Sequence, residues 1–581
     1  MAGLTRGRNI QRRDIPEPLL GAIPGNLHPV LRRVYASRQV AASEIELSLS
    51  QLIPVGELKA ALPAANRLAD CLARRERVLI LGDFDADGAT ATALCVSILR
   101  EMGFVDVVYL VPDRFKFGYG LSPAIVDEAA RLSPALIVTV DNGISSITGV
   151  RRAHELGIEV LVTDHHLPGP EIPAAEFIVN PNLPNESFPS KNLCGVGVVF
   201  YVLAALGRVL AERGVIDTDR GRAIVTHGLD LVALGTVADL VPLDYNNRIL
   251  VAEGVRRMRA GRTRPGIRAL FDVAGRTIAS ARSSDLGFGI APRLNAAGRL
   301  TDMSLGIDCL LAATDAEARR LALRLDDLNR ERRDLQAGME IDAGRHLDIA
   351  RQRIGSAEAN AYCLFDDEWH EGVVGLVATR MKEQARRPVI AFARSTEAGL
   401  LKGSGRSVPG IHIRDVLDAV ATAHPEMIEK FGGHAMAAGL TLDSRHLESF
   451  REAFATAVGR YSEILSRPDV IWTDGALTSD EMQIELACAL SAGGPWGQGF
   501  PEPLFDNALE IVEYHLLKEC HLKLKVRSPG DNRVIDAIAF NQSELPRPAS
   551  DSSIRLIYRL EINEFRDRRV AQLVVEHMQS E

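Results

Sequence analysis

The feature that most constrains the fold is a regular alternation of short β-branched runs with helical stretches over residues 76–180. Four runs have the composition of buried strands: RVLILGD (77–83), VVYLVP (107–112), ALIVTVDNG (135–143) and IEVLVTDHH (158–166). The segments between them place apolar residues three and four positions apart, and two end in a glycine suited to a helix C-terminus. Strands that alternate with helices in this way form βαβ units. The sequence therefore predicts an α/β domain with a parallel sheet.

The rest of the chain divides by pattern. Residues 195–260 are mostly helical in pattern, and 314–353 predicts one long amphipathic helix that bridges two domains. The apolar stripe of that helix comprises Leu321, Leu325, Leu328, Leu335 and Met339. A second α/β pattern covers 358–460, and strand-like runs after Pro468 predict a small β-barrel. The expected fold class is α/β, with a parallel-sheet domain, a smaller α/β domain and a barrel.

Composition excludes several classes of protein. The 581 residues are 46% apolar and 25% charged, as in an ordinary globular chain. Seven scattered cysteines form no CxxC pair, so neither a zinc ribbon nor a disulfide framework is indicated. The most apolar stretch, 196–206, is far shorter than the roughly 20 residues of a spanning helix, and no secretory signal pattern is present. We therefore expect a cytoplasmic protein with no membrane association.

Charge is unevenly distributed along the chain. The net charge of −9 disfavours a nucleic-acid binder on average. Residues 1–80, however, hold 12 Lys and Arg against 7 Asp and Glu, and 251–300 hold 10 against 3. Basic surface is thus available locally, although a solvated charge run gives the same count.

The most informative motif is LGDFDADG, which places Asp83, Asp85 and Asp87 directly after the first predicted strand. Three carboxylates within five residues repel one another unless cations or donors compensate their charge. An EF-hand loop matches through Gly88 but requires a Glu six positions later, where the chain has Leu94. No Gly-Lys-Ser or Gly-Lys-Thr follows, so the motif is not a P-loop. A metal site is the favoured interpretation, and a solvated acidic turn is the alternative.

Two other predicted strands end in similar groups: Asp141 in VTVDNG, and Asp164, His165 and His166 in VTDHH. Because ligands of open parallel sheets gather at the carboxyl ends of the strands, we expect these groups to converge. Asp239, in LGTVADLVPL, lies in an apolar stretch where an uncompensated carboxylate is costly. Metal ligation or a helix cap would satisfy it.

The predicted ligands are up to five aspartates and one or two histidines, with no thiolate. This set suits Mn²⁺, or Mg²⁺ with more bound water, and argues against a structural zinc site. Two ions about 3.5–4 Å apart with one bridging carboxylate would generate a hydroxide and stabilise in-line attack on phosphorus. Phosphoester hydrolysis is therefore the leading prediction.

In order and spacing, GDFDADG, VDNG, TDHH and VADLVPL resemble the four motifs of the DHH phosphoesterase superfamily. The segments GSGRS and FGGHAMAAG resemble its accessory DHHA1 domain. LHPVLRRVYASR, PRLNAAGRL and the β-rich C-terminal region resemble the bacterial single-stranded-DNA-specific exonucleases within that superfamily. The resemblance covers nearly the full chain.

This resemblance implies a 5′→3′ exonuclease that releases 5′-mononucleotides from single-stranded DNA by two-metal-ion hydrolysis with Mn²⁺ or Mg²⁺, in DNA repair and recombination. The implied metal ligands are Asp83, Asp85, Asp87, Asp141, His165 and Asp239, with Asp141 as the expected bridge. His166 would contact the scissile phosphate, and Asp164 would orient a neighbouring ligand. The implied catalytic set is Asp141, Asp164, His165 and His166.

The resemblance also implies contacts to the substrate, for which arginine suits a terminal phosphate. The matching positions are Arg114, Arg299, Ser404, Arg406, Gly432, Gly433 and His434. Beside Arg114, the aromatic residues Phe115, Phe117 and Tyr119 would either stack a base or simply pack. For the Gly-Gly-His segment, the alternative is a tight turn at a helix start.

Together, pattern and resemblance predict five segments. They are an N-terminal basic segment packed on the catalytic domain (1–75), the DHH catalytic domain (76–313), a connecting long helix (314–357), the DHHA1 domain (358–462) and an OB-like domain (463–581). The expected partner is single-stranded DNA with a 5′ end, and single-strand binding protein and a helicase are candidate protein partners of an expected monomer. Two rival interpretations are a DHH phosphoesterase of short oligonucleotides and a non-catalytic scaffold.

Overall fold

The structure is a computed structural model that describes residues 9–113, 120–354, 359–518, 520–540, 553–565 and 568–580. The chain begins with an N-terminal segment of one short strand and three helices. These are β1 (Asn9–Arg12), α1 (Glu17–Ala22), α2 (Pro29–Ser37) and α3 (Ala61–Arg74).

The first α/β domain is built on a five-stranded parallel sheet, as the sequence predicts. Its strands are β2 (Val78–Leu81), β3 (Val107–Leu110), β4 (Leu136–Val140), β5 (Glu159–Thr163) and β6 (Phe177–Val179), and the helices between them are α4 (Ala86–Glu101), α5 (Pro123–Ala130) and α6 (Ile147–Glu155). The strand order is β3-β2-β4-β5-β6. Gly103 and Gly157 follow α4 and α6 at positive φ angles, +101° and +72°, where glycine is free of strain. The topology brings the carboxyl ends of β2, β4 and β5 to adjacent positions.

A helical layer completes this domain. It contains α7 (Gly195–Glu212), α8 (Thr218–His227), α9 (Leu229–Ala238), α10 (Tyr245–Arg259), α11 (Pro265–Val273), α12 (Ala291–Leu300) and α13 (Ser304–Leu311). By length and composition α7 could cross a membrane, but 78% of its apolar window is buried inside the protein. It packs against α3, α4 and α9, as a core helix does.

The long helix predicted between the two α/β domains is α14 (Asp315–Ile354), of 40 residues. Its first half packs on α11, α12 and α13, and its second half packs on the second α/β domain. Leu325 and Met339 are buried in these two different cores. Leu335 lies between them and is 38% exposed, so the predicted continuous stripe is wrong at this residue.

The second α/β domain is a mixed five-stranded sheet with helices. Its elements are β7 (Tyr362–Phe365), α15 (Val374–Ala385), β8 (Val389–Arg394), β9 (Leu400–Arg406), α16 (Ile413–Ala423), β10 (Ile428–Gly433), β11 (Ala437–Asp443), α17 (Leu447–Gly459) and α18 (Ser462–Leu465). The strand order is β10-β11-β9-β8-β7. The Gly-Gly-His segment joins β10 to β11 and does not start a helix.

The C-terminal region forms a closed five-stranded barrel, in agreement with the predicted OB-like fold. After β12 (Val470–Thr473) and α19 (Ile484–Ala492) come β13 (Phe505–Leu517), β14 (His521–Arg527), β15 (Ile535–Ala539), β16 (Ser553–Phe565) and β17 (Arg568–Ser580). They close in the order β13-β14-β15-β17-β16.

The N-terminal segment connects this barrel to the first α/β domain. Strand β1 pairs in parallel with β12, and α3 packs on α7. The buried carboxylate of Asp506 accepts hydrogen bonds from Arg12 (3.0 and 3.1 Å) and Arg555 (2.5 Å). One continuous apolar core therefore runs through the N-terminal segment, the first α/β domain and the barrel, whereas the second α/β domain has cores of its own.

Helix α12 packs directly against the acidic loop after β2. A Cβ atom on Gly298 would lie 1.7 Å from the carbonyl oxygen of Phe84. Three residues earlier, the Asn295 side-chain oxygen accepts a hydrogen bond from the Ala86 N–H at 2.8 Å. This close contact fixes the backbone on both sides of Asp85.

We expect Gly298→Ala to destabilise the first α/β domain by about 1–3 kcal/mol, because the added methyl group forces the helix and the loop apart. Gly338→Ala is the matched control, since a Cβ at this exposed position of α14 meets nothing within 4 Å. There the gain in helix propensity is up to about 1 kcal/mol. Urea unfolding midpoints test this, and equal midpoints for the two variants would contradict the packing argument.

Candidate metal centre and phosphate site

The acidic side chains are positioned by the ends of secondary structure elements. Asp83, Asp141 and Asp164 directly follow or nearly follow β2, β4 and β5. Asp85 caps α4, and its side chain accepts hydrogen bonds from the N–H groups of Asp87 (2.9 Å) and Gly88 (3.0 Å). Asp239 lies at the C-terminal end of α9. Segments that are distant in the sequence thus contribute to one site.

These side chains converge around His165. Its Nε2 atom lies 3.1 Å from Oδ1 of Asp141, 3.5 Å from Oδ2 of Asp239 and 4.0 Å from Oδ2 of Asp87. Three groups each place their ligand atoms within 4.8 Å of one another, and they overlap at Asp141 and His165: Asp87/His165/Asp239, Asp83/Asp85/Asp141 and Asp141/His165/His166. The structure therefore brings all six predicted metal ligands into one cluster.

Burial makes this cluster electrostatically costly without a cation. Desolvation, followed by repulsion from neighbouring aspartates, raises the pKa of Asp83 and of Asp141 well above the ordinary value. The same causes raise the pKa of Asp239, and that of Asp87 to about 7. A divalent ion would offset both effects, because it replaces the lost hydration and screens the repulsion.

His165 is suited to a metal ion in the same way. Burial, and then the charge of His166, lowers the pKa of His165 to about 3, so its ring is neutral at physiological pH. Within the described residues, its Nε2 is a buried atom without a hydrogen bond, although three carboxylates surround it. A neutral imidazole nitrogen aimed into a group of carboxylate oxygens matches the ligand preference of Mn²⁺, and the oxygens alone suit Mg²⁺.

His166 has the opposite electrostatic character. Its Nδ1 lies 2.7 Å from Oδ1 of Asp164. Asp164 is buried, and its Oδ2 accepts a hydrogen bond from the Ile144 N–H at 2.9 Å. Burial disfavours the charged ring, but the hydrogen bond to Asp164 and the nearby carboxylates outweigh it and raise the pKa of His166 to about 9. This raised pKa favours the charged form of the His166 ring, and Asp164 contacts both this ring and the backbone N–H of His165 (2.7 Å).

Two contributions to the site were missed by sequence reasoning. The N-terminus of α7 donates from the N–H groups of Gly195 (2.6 Å) and Val196 (3.0 Å) to the carboxylate of Asp87. Gly195 is required, since a Cβ there would lie 2.4 Å from Cβ of Asp141. The glycine at the start of the GVGV run was the available signal. The second contribution is Asn295, whose side-chain oxygen accepts a hydrogen bond from the Ala86 N–H. Its only signal in the sequence was its place in the PRLNAAGRL segment.

The second α/β domain contributes the facing side of the site. The ring of His434 stacks on that of His166, with centroids 5.8 Å apart and planes at 16°. Gly433 has a φ of +141°, and a Cβ there would lie 2.4 Å from the carbonyl oxygen of Ala437. Gly432 has open space at that position. Glycine at 433 thus permits the turn that brings His434 to His166.

Two of the predicted arginines lie at the turn before α15 and at the start of that helix. Arg299 donates from Nη1 to the carbonyl oxygen of Gly372 in the turn, at 3.1 Å. In the first turn of α15, a Cβ on Gly375 would lie 2.9 Å from Nη2 of Arg406 and 3.0 Å from Oγ of Ser404. Arg406 also donates to Ser404 Oγ at 3.0 Å, and burial lowers its pKa. Arg114, with Phe115, Phe117 and Tyr119, lies outside the described residues.

Comparison with known proteins defines the class first. The DHH family N-terminal domain matches residues 77–236, the DHHA1 domain matches 358–460 and the RecJ OB domain matches 473–577. A DHH domain that carries a cluster of aspartates and a histidine, joined to DHHA1, defines a phosphoesterase of the DHH class.

The particular family follows from relatives over the full length. The chain is 50% identical to the single-stranded-DNA-specific exonuclease RecJ of Dickeya dadantii, over 96% of this chain and 97% of the other. Two solved structures of RecJ from Thermus thermophilus are similar. The complex with Mn²⁺ has a TM-score of 0.79 at 29% identity, covering 99% of this chain and 79% of that one. The complex with Mg²⁺ has a TM-score of 0.74 at 27% identity, covering 99% and 78%. The chain belongs to the RecJ family of single-stranded-DNA-specific exonucleases.

We expect the stabilisation of the protein by Mn²⁺ or Mg²⁺ to increase as pH rises from about 5 to 8. The buried carboxylates have folded-state pKa values above the unfolded value, so their protonated forms stabilise the ion-free protein at low pH. That stability is lost as pH rises toward the pKa of about 7 at Asp87. An ion competes with these protons for the carboxylates. Its stabilisation of the folded protein is therefore largest at a pH where the carboxylates are ionised.

Thermal unfolding in EDTA and in Mn²⁺ at several pH values measures this difference. Asp141→Asn is the informative variant, because it removes one repelling charge. Its Tm in EDTA should rise at pH 8, and its gain from Mn²⁺ should shrink. A gain from Mn²⁺ that is constant with pH would contradict the prediction.

Proposed function

We propose that this chain is a single-stranded-DNA-specific 5′→3′ exonuclease that releases 5′-mononucleotides by two-metal-ion phosphodiester hydrolysis, in DNA repair and recombination. The observation that carries the proposal is the convergence of Asp83, Asp85, Asp87, Asp141, His165 and Asp239 opposite the phosphate-suited residues of the second α/β domain. Membership of the RecJ family supports the same substrate.

Two neighbouring ligand groups, with no residue in common, support two ions. One group is Asp87, His165 and Asp239, and the other is Asp83, Asp85 and Asp141. Asp141 lies 3.1 Å from His165 of the first group, which suits it to bridge the two. Mn²⁺ or Mg²⁺ bound there lowers the pKa of an attacking water and offsets charge on the phosphate.

The residues of the chain contribute charge and orientation. His166 is held cationic by Asp164 at 2.7 Å, so it can donate to a phosphate oxygen as negative charge develops. Its ring cannot rotate freely, because Asp164 holds one side and His434 stacks on it. Asp164 is therefore proposed as a positioning residue for His166.

Recognition of the 5′ end is assigned to the start of α15, the turn before it and their neighbours. Arg406 and Ser404 lie on β9 next to Gly375 of α15, and Arg299 reaches Gly372 in the turn from α12. A partly buried guanidinium beside a hydroxyl and glycine backbone suits a phosphate monoester. In this proposal the 5′ phosphate occupies these residues, and the 5′→3′ polarity follows from that assignment.

We attribute selectivity for single strands to the contacts that join the two α/β domains at the site. The contact of Arg299 with Gly372 and the stacking of His166 on His434 both cross from the first α/β domain to the second. In this proposal, domains joined so close to the site admit one strand and not a duplex.

The barrel is proposed as a site for protein partners, with single-strand binding protein and a helicase as candidates. Many of its basic side chains are already paired: Lys525 with Glu513 (2.8 Å), Arg527 with Glu510 (2.7 Å), Arg569 with Glu564 (2.9 Å) and Arg559 with Glu576 (2.9 Å). These pairs are compatible with a protein partner at the barrel, and single-stranded DNA is the alternative occupant that an OB fold accommodates. The protein is proposed to act as a cytoplasmic monomer.

The direct test is digestion of a single-stranded oligonucleotide with different labels at its 5′ and 3′ ends. In Mn²⁺ the 5′ label should leave first as a mononucleotide, and EDTA or Asp141→Ala should abolish release. Early loss of the 3′ label would refute the assigned end recognition. Preference for two- to five-residue substrates over long strands would support an oligonucleotidase, and no release with any metal would support a scaffold.

We expect His166→Ala to slow hydrolysis by about 100- to 1,000-fold, the cost of one donor to developing charge. Its affinity for Mn²⁺ should be nearly unchanged. His165→Ala is the matched control and should lose Mn²⁺, which calorimetric titration measures. A large loss of Mn²⁺ by His166→Ala would show that His166 is a ligand and not a phosphate contact.

A further inference from the structure

One aromatic ring near the metal centre is left in solvent. Phe288 lies in a π-helical turn, Asp285–Ile290, that continues directly into α12. The residue is 83% exposed, between Gly287 and Gly289. Single π turns within helices are frequent at functional sites. An exposed aromatic ring in a π-helical turn that leads into α12 therefore indicates a functional contact.

Phe288 shares a face with residues that define the site. The incompletely buried positions after Phe288 on this continuous helix are Pro292, Asn295, Arg299 and the terminal Leu300. The first three follow Phe288 at spacings of four, three and four residues, which is one helical face. Asn295 on this face binds the acidic loop at Ala86, and Arg299 binds the second α/β domain at Gly372. At 1.5 Å per residue, Phe288 stands about 10 Å along the helix from Asn295.

The π turn also adjoins the end of α9. A Cβ on Gly287 would lie 3.2 Å from Cγ1 of Val237, two residues before the proposed ligand Asp239. Exposed apolar residues border the other site groups as well. Leu240 follows Asp239 and is 68% exposed, and Leu167 follows His166 and is 63% exposed. Apolar side chains offer neither charge nor hydrogen bonds to a phosphate, so these residues are suited to a less polar part of a substrate.

We propose that Phe288 is a nucleobase-stacking subsite that holds a base two or more nucleotides to the 3′ side of the scissile phosphate. This inference rests on the proposed function. The ring offers a face to any base, so the contact is independent of sequence. It also requires an unpaired base with an accessible face, which adds to selectivity for single strands.

The test is a double-mutant cycle between protein and DNA. A 12-residue single strand with a 5′ phosphate carries one abasic site, scanned over its first six nucleotides. The proteins are the wild type, Phe288→Ala, Phe288→Tyr and the control Val105→Ala. Val105 is 77% exposed but precedes β3, so it lies near the amino ends of the strands, whereas the site lies at their carboxyl ends.

With the intact strand, Phe288→Ala should raise KM about 5- to 100-fold, the value of one base–aromatic stack, and leave kcat unchanged. Phe288→Tyr and Val105→Ala should match the wild type. At one abasic position the wild type should show the same rise in KM, and there Phe288→Ala should show no additional rise. A dinucleotide should be cleaved equally by all four proteins, because it is too short to reach the ring.

Additive effects at every abasic position would overturn the proposal. So would a defect of Phe288→Ala that persists on the dinucleotide, or normal digestion by this variant, which would assign the ring to a protein partner. Failure of the proposed function gives a different result, since the wild type would then release no mononucleotide from the intact strand.

Discussion

One electrostatic constraint dominates this structure: buried carboxylates that repel one another lie together at the carboxyl ends of the strands of a parallel sheet. Asp83, Asp87 and Asp141 are nearly fully buried, and burial together with neighbouring carboxylates raises the pKa of each. A fold does not retain such a cluster for stability, because burying uncompensated charge costs more than the local contacts return. Backbone N–H groups compensate part of this charge: those at the start of α7 donate to Asp87, and that of Phe84 donates to Asp83 at 2.8 Å. Divalent ions would compensate more of it.

The two histidines next to one another in the sequence divide the work between them. His165 is kept neutral and points at three carboxylates, while His166 is kept charged by Asp164. Adjacent residues point to different environments here because β5 ends at this point and the chain turns. One dipeptide thus holds a ring that faces carboxylates and a ring that is paired with a carboxylate, side by side, as the proposed roles of metal ligand and phosphate contact require.

The second α/β domain is attached to the rest of the protein differently from the other parts of the chain. The N-terminal segment, the first α/β domain and the barrel share one apolar core, and β1 pairs with β12 to tie them together. The second α/β domain has separate cores and is attached through α14 and a few contacts at the site, such as Arg299 with Gly372. Its position relative to the metal centre is therefore set by α14, which packs in the cores on both sides, and by these contacts at the site. Leu335, exposed between the two cores of α14, marks this boundary.

The sequence by itself determined the parallel sheet, the long helix, the barrel and the acidic residues and histidine that gather at the carboxyl ends of the strands. It could do so because strand and helix periodicities are local, and because parallel strands deliver their C-terminal residues to one edge whatever the remaining packing. Only the tertiary structure decided the rest. Gly195 and Asn295 act through α7 and α12, which are far along the chain from the acidic loop that they hold. The pairing of β1 with β12 and the exposure of Phe288 likewise depend on which surfaces meet across the chain. No local pattern encodes such contacts, since they follow from the shape of the whole packed molecule.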